Sequence, residues 1–251
     1  MNLEARYTSG EHLEKTPNWH AHESPWKVEH IVQMLDKHGL QPQRVCEVGC
    51  GAGDVLRLLQ KRMPSSCSFW GYDISPQAIA LCAGKGNERL HFELRDVRKD
   101  RQTSFDLILV LDVIEHLEDY FSFLRDIKPK SRYALLHIPL EISVQSVFIG
   151  KTFIWTRGQH GHLHYFSKET ALRTVQDVGY EVLDYSYSPE FELPAGGLVG
   201  NFAKIPRKLF FALHHDWAAR VLGGTRLLVL VRNNDFAVEK TTWHGACSSD
   251  L

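Results

Sequence analysis

An apolar run, Val45-Cys46-Glu47-Val48, breaks off into Gly49, Gly51 and Gly53, three glycines separated by single residues. Asp54 then opens a stretch with Val55, Leu56 and Leu59 at helical spacing. β-Branched residues suit a pleated, buried strand, and glycines tolerate turns that let backbone pass close to a ligand. A strand that turns into a helix in this way is the first half of a crossover, which requires a parallel partner strand. The rest of the chain supplies partners. Ser68–Ile74, His91–Leu94, Phe105–Val113 and Tyr133–Leu140 read as strands beside Arg44–Gly49; Tyr180–Tyr187 alternates apolar and polar side chains, and Arg226–Val231 reads as a last buried strand. Helices are expected at Val28–Leu40, at Gly53–Arg62, from Ser75-Pro76 to Cys82, at Glu118–Ile127, and from the cap Ser167 to Val178. This alternation specifies an α/β fold, a mostly parallel sheet with helices on both faces.

Two connections break the rhythm. Residues 141–166 and 189–225 are long for a compact domain, where such insertions serve as lids or binding loops. The second should hold one helix, Pro206–Leu222, carrying Phe210, Phe211, Leu213 and Trp217 and capping the site. A membrane-surface helix is the alternative, which its few basic residues (Arg207, Lys208, Arg220) favour less. The aromatics Phe148, Phe153, Trp155, Phe191, Phe202 and Trp217 either line an apolar, closable pocket or form the insertions' own core. The organisation expected is an N-terminal helical segment (1–40) covering the ligand cleft, a domain at 41–233 with the two insertions as a small helical and aromatic cap, and a tail (234–251) without readable structure.

Composition narrows the partners. With 251 residues, 43% of them hydrophobic, the chain is long enough to close a full core. A net charge of −1 gives no electrostatic footprint for a polyanion, so no nucleic acid is expected. The start MNLEARYTSGEHLEK lacks a secretory apolar core, and the runs Leu107–Leu111 and Leu227–Val231 are too short to span a bilayer. Cys46, Cys50, Cys67, Cys82 and Cys247 show no CxxC spacing and read as thiols in a reducing compartment. A cytoplasmic protein is expected.

The glycine turn needs a ligand. Dinucleotide sites use G-x-G-x-x-G, but the spacing here is G-x-G-x-G, with Asp54 where the third glycine would stand. Glu47 and Asp54 flank the turn with no Lys or Arg between Arg44 and Arg57, a poor cradle for pyrophosphate and a good one for an ammonium and a sulfonium. Asp73 closes the second strand, where an acid can accept both hydroxyls of a ribose. Asp96, with Val97, closes the third, where an acid and a backbone N–H can read an adenine edge. Leu111-Asp112-Val113 closes the fourth. These ends follow one another along the sheet edge at which open α/β sheets bind ligands.

Glu47-Val48-Gly49-Cys50-Gly51-Ala52-Gly53, Gly71-Tyr72-Asp73-Ile74-Ser75, Phe105-Asp106 leading to Asp112-Val113-Ile114-Glu115-His116, and His164-Tyr165-Phe166-Ser167 before a helix together resemble the class I S-adenosylmethionine-dependent methyltransferases. The branch most similar is the bacterial small-molecule group of ubiquinone-type and type 11/23 enzymes, which Pro17-Asn18-Trp19-His20 and Ser24-Pro25-Trp26-Lys27 also resemble. The resemblance covers residues 17–187 and fades over the second insertion. It implies a Rossmann-like, seven-stranded sheet with an antiparallel last strand, S-adenosyl-L-methionine as cofactor and S-adenosyl-L-homocysteine as product. It also implies cofactor contacts from Gly49, Gly51, Gly53, Asp73, Asp96 and Leu111–Val113; Glu47, Cys50, Ile74, Val97 and His116 complete the expected set.

Methyl transfer needs a base only when the acceptor must lose a proton. Of the 14 histidines, His116 should line the cofactor cleft and His137 should be a satisfied core residue. His160, His162 and His164 would share one face of an extended segment. Lid anchoring is the first reading of that cluster, a general base (His160 or His162) the second, and a metal the third; no metal is expected. His214-His215 form a lower-ranked pair. The expected reaction is methylation of an oxygen, nitrogen or activated carbon on a small molecule, such as a sugar or natural-product intermediate. The alternatives are a non-catalytic S-adenosylmethionine-binding partner subunit, an RNA methyltransferase, and a nicotinamide-dependent oxidoreductase, which would need the glycine that Asp54 replaces.

Overall fold

The computed structural model describes residues 7, 9–10, 13, 19–99, 103–193 and 204–236. Pro17, Asn18, Phe202, Cys247 and residues 237–251 of the expected tail lie outside the described residues. The strands are β1 (Arg44–Val48), β2 (Ser68–Asp73), β3 (Leu90–Leu94), β4 (Phe105–Leu111), β5 (Ser131–Pro139), β6 (Glu181–Pro189) and β7 (Thr225–Arg232). The helices are α1 (Ser24–Lys37), α2 (Asp54–Leu59), α3 (Pro76–Leu81), α4 (Tyr120–Ile127), α5 (Val144–Ile149), α6 (Lys151–Gln159), α7 (Lys168–Asp177), α8 (Ile205–Leu213) and α9 (His215–Leu222).

All seven strands join one sheet in the order β3-β2-β1-β4-β5-β7-β6. β1 to β5 pair in parallel, and β7 runs antiparallel to β5 and β6. The chain winds outward from β1 to β3 and then returns to β4 on the other side. The carboxyl ends of β1 and β4 therefore border the crevice that such a reversal leaves. Because β7 is antiparallel, its first residues reach this edge, and Arg226 pairs with Pro139 at the end of β5.

β4 shows how a period of two feeds both faces. Leu107, Leu109 and Leu111 enter the core shared with Ile31, Leu35, Leu56 and Phe69, under α1 and α2. Ile108 and Val110 enter the core shared with Phe123, Leu124, Ile127 and Val175, under α4 and α7. The cap expected at Ser167 is present as a capping box, its Oγ accepting from the Thr170 N–H. Cys46, Cys50, Cys67 and Cys82 are buried free thiols. Among the described residues no helix is long and apolar enough to cross a membrane.

The insertion at 141–166 folds into α5 and α6. Two sequence expectations need correction. β4 stops at Leu111, not Val113, because Asp112 turns to φ 56°. The helix expected over Pro206–Leu222 is two helices. His214 adopts an extended backbone (φ −160°, ψ 101°) that ends α8, and its Nδ1 accepts the Trp217 N–H at 3.3 Å to start α9.

Phe92 on β3 couples the glycine turn to the sheet. A Cβ at Gly71 would stand 2.6 Å from its ring, and a Cβ at Gly53 would meet the same ring at 2.6 Å. Gly71→Ala should therefore cost about 1–3 kcal/mol through overpacking, read as a lower urea midpoint. Phe92→Leu in the same chain should recover part of that loss. An unchanged midpoint in the single variant would contradict the packing described.

Candidate active site

A cavity of about 620 Å³ opens along the carboxyl edge of β1, β2 and β4. Its floor is the glycine turn, Asp73-Ile74 after β2 and Leu111–Val113 after β4. Its walls are residues 19–27, the α5–α6 insertion and the start of β7. Glu47, Gly49, Cys50, Gly51, Gly53, Asp73, Ile74, Leu111, Asp112, Val113, His116, His160 and His162 all line it. Asp96 and Val97 do not: Val97 is buried in the core, and Arg98 holds the Asp96 carboxylate through two side-chain bonds of 2.8 Å.

Gly51, at φ 53°, presents its backbone where a side chain could not go, since a Cβ would stand 2.4 Å from the Trp19 ring. Its N–H donates to Asp73 Oδ2 at 2.9 Å, and the Ser75 N–H donates to Asp73 Oδ1 at 2.9 Å. These bonds fix the carboxylate at the cavity wall while leaving each oxygen a further lone pair. Burial raises the Asp73 pKa, with the backbone donors opposing it.

The acidic turn of the sequence is differently charged in the fold. Asp54 is occupied by Lys85 at 2.8 Å and Arg57 at 3.0 Å. Glu47 is buried, its Oε2 has no hydrogen-bond partner, and burial holds its carboxyl well above the usual carboxylate range. Glu47 therefore brings to the cavity a buried carboxyl with one unpartnered oxygen, beside the oriented Asp73.

At the other end of the cavity lies an ionic cluster that the sequence did not disclose. Asp112 Oδ2 meets Lys27 Nζ at 2.6 Å and Arg226 Nη1 at 3.0 Å, and its Oδ1 lies 3.1 Å from His137 Nδ1. Arg226 also donates to Glu23 at 2.6 Å and to Glu190 at 3.3 Å. Burial alone would raise the Asp112 pKa, but Arg226, Lys27 and His137 hold it well below its ordinary value. His137 is only half satisfied as a core residue, because its Nε2 has no hydrogen-bond partner. The antiparallel sense of β7 was the signal for Arg226, since it brings the first residues of that strand to the ligand edge.

The three clustered histidines do not all share a face. His160 and His162, on either side of Gly161 at φ 86°, both line the cavity with their rings 5.6 Å apart. His164 points away and lies 2.9 Å from the Leu117 carbonyl, with its ring against Tyr120, as an anchor would. His160 packs between Trp155 and His20, and burial lowers its pKa, aided by the charge of His162. His162 Nδ1 lies 2.8 Å from the Glu141 carboxylate. Burial would lower its pKa, but Glu141 and Glu115 raise it overall.

The grouping with ligand-type atoms is instead Glu115, His116 and His162, whose candidate atoms lie within 4.8 Å of one another. Of the insertion aromatics among the described residues, only Trp155 lines the cavity; Phe153 packs at a tilt on Tyr165 and Phe191 edge-on against Phe211.

The sheet order is that of the Rossmann-like methyltransferase fold. The family described as a methyltransferase domain, of type 23, matches residues 20–185, and the chain belongs to that family. Ajmaline N-methyltransferase of Rauvolfia serpentina is 31% identical over 103 residues, a stretch spanning 38% of this chain and 35% of that relative's length. Magnesium protoporphyrin IX methyltransferase from Synechocystis PCC 6803, solved with bound S-adenosylhomocysteine, superposes with a TM-score of 0.55 at 18% identity over 82% of each chain. The N-methyltransferase NodS from Bradyrhizobium japonicum WM9, also in complex with S-adenosylhomocysteine, gives 0.53 at 16% identity over 84% of this chain and 89% of its own.

Glu115 yields a pH test. It is fully buried, neither carboxylate oxygen has a hydrogen-bond partner, and burial with the nearby Asp112 charge pushes its pKa up to about 8. Between the ordinary value of 4.5 and about 8 the folded state keeps a proton that the unfolded state has lost. Stability should therefore decline as pH rises through that window and level off above it. Glu115→Gln should remove the decline, gaining on the order of a few kcal/mol over the parent at pH 8 relative to pH 5. Parallel stability curves for the two proteins would contradict the assignment.

Proposed function

We propose that this protein is an S-adenosylmethionine-dependent methyltransferase that acts on an oxygen, nitrogen or activated carbon of a small molecule. The observation that carries the reading is the continuity of the cavity, from the glycine turn and Asp73 at one end to the Glu141–His162 pair under the first insertion at the other. When bound, the cofactor supplies a methyl group already activated on a sulfonium. Asp73 would accept the ribose hydroxyls with its remaining lone pairs, and the backbone at Gly49–Gly53 would pass beneath the ligand. Glu47 and the loop ends at Leu111–Val113 would meet the rest of it. Residues 19–27 and the two insertions would exclude water, so that positioning supplies most of the rate.

An acceptor that must lose a proton needs a base. Glu141, by accepting from Nδ1–H, would leave His162 Nε2 as the basic nitrogen facing the cavity. His160, whose pKa burial lowers, would position the acceptor beside it. His164 would serve as the lid anchor.

Two measurements test this. Calorimetry should find S-adenosylhomocysteine binding but not NAD, and Asp73→Ala should weaken it at least about tenfold, since two charge-assisted bonds are lost. NAD binding more tightly would overturn the reading. With an acceptor found by metabolite screening, turnover should climb with pH through a value above that of an ordinary histidine, where His162 loses its proton. His162→Ala should flatten that limb and lower turnover roughly 10²–10⁴-fold at unchanged S-adenosylhomocysteine affinity, and Glu141→Gln should move the limb to lower pH. Full activity of His162→Ala would remove it as the base.

A further inference from the structure

Exposed large apolar side chains are concentrated in one part of this molecule. Among the described residues, all of them except Leu94 and Tyr185 belong to the two insertions. The helices of those insertions form one layer over the cavity: Arg207 on α8 donates to Gln145 on α5 at 3.2 Å, and Gly223 after α9 abuts Ser143, the cap of α5. The inner side of the layer lines the cavity through Gln145, Ile149, Thr152, Thr156, Arg207 and Leu222. Phe148 (92% exposed), Ile154 (73%), Leu209 (64%), Leu213 (82%) and Trp217 (56%) do not line it and form the outer side. A soluble monomer rarely concentrates so many exposed large apolar side chains on one layer of helices.

Charge selects what covers it. The same segments, residues 143–159 and 204–222, carry Lys151, Arg157, Lys204, Arg207, Lys208 and Arg220 against one acid, Asp216, whose carboxylate is already held by Lys168 at 2.7 Å. Arg207 lines the cavity and Arg220 pairs with Glu169, so the excess outside the cavity rests on Lys151, Arg157, Lys204 and Lys208. The chain as a whole has a net charge of −1, so this excess is local. A symmetric contact with a second copy would bring two such cationic faces together, which is repulsive. An anionic lipid surface accepts Trp, Phe and Leu into its interfacial layer and attracts the surrounding Lys and Arg. Read alone, the sequence of α8–α9 offered few cations for such a role. The fold adds the exposed apolar residues of α5 and α6, with Lys151 and Arg157, to the same layer.

We propose that the outer side of the α5–α6 and α8–α9 layer docks the protein peripherally on an anionic bilayer. The test is co-sedimentation of the full chain with vesicles of equimolar phosphatidylcholine and phosphatidylglycerol, against vesicles of phosphatidylcholine alone. The parent should pellet with the anionic vesicles only, and high salt should release it. Phe148→Ser with Leu213→Ser, and separately Lys151→Glu with Lys208→Glu, should each weaken binding roughly tenfold or more while their melting midpoints stay at the parent value. Neither pair lines the cavity, so S-adenosylhomocysteine binding reports on the proposed enzyme activity independently. A parent that ignores both vesicle types would overturn the proposal, as would binding that survives both double variants. A concentration-dependent dimer abolished by Phe148→Ser with Leu213→Ser, without vesicle binding, would assign the face to a second copy instead.

Discussion

Asp112 is where the separate parts of this molecule are tied together. It ends β4 in a left-handed backbone conformation, which an Asp tolerates better than most residues. Its carboxylate then meets Lys27 from α1 and Arg226 from β7, with His137 from β5 on the other oxygen. Arg226 extends the network to Glu23 and Glu190. Removing one partner of a buried network of this kind costs roughly 3–5 kcal/mol, because the charges left behind are uncompensated. The walls of the cavity at residues 19–27 and at the start of β7 stay against the sheet through this cluster, and the ligand edge is closed on that side.

Much of the fold was legible because each signal was local. Period-two alternation, glycine stops and serine caps located all seven strands within a few residues, and the spaced glycines marked where a ligand approaches backbone. What was not legible depended on direction and on long range. Nothing near His214 in sequence shows that its imidazole would break one helix into two. Asp54 looked like a free acid until Lys85 was brought beside it by the fold. Asp96 had the right place at a strand end, yet Arg98, two residues on, claims its carboxylate. Thirteen of the fifteen expected site residues reach the cavity, because strand ends in a parallel sheet share one edge regardless of what the loops do.

The histidine cluster shows the same limit. A run of alternate histidines suggests a shared face, but only the half-buried His160 and the Glu141-paired His162 keep their rings together, while His164 turns to the Leu117 carbonyl. The carboxylate paired with His162 lies 21 residues away, at the start of the insertion. The aromatics divide similarly, with Trp155 at the cavity, Phe153 and Phe191 packed inside the insertions, and Phe148 and Trp217 on the outer surface.

A cavity that joins a methyl donor to a small-molecule acceptor should transfer label when the purified protein is incubated with methyl-labelled S-adenosylmethionine and a fractionated metabolite pool. Label should appear in a low-molecular-weight product, with S-adenosylhomocysteine formed in equal amount and both lost in Asp73→Ala. Label recovered only in added RNA, or donor bound without any turnover across the pool, would contradict that activity.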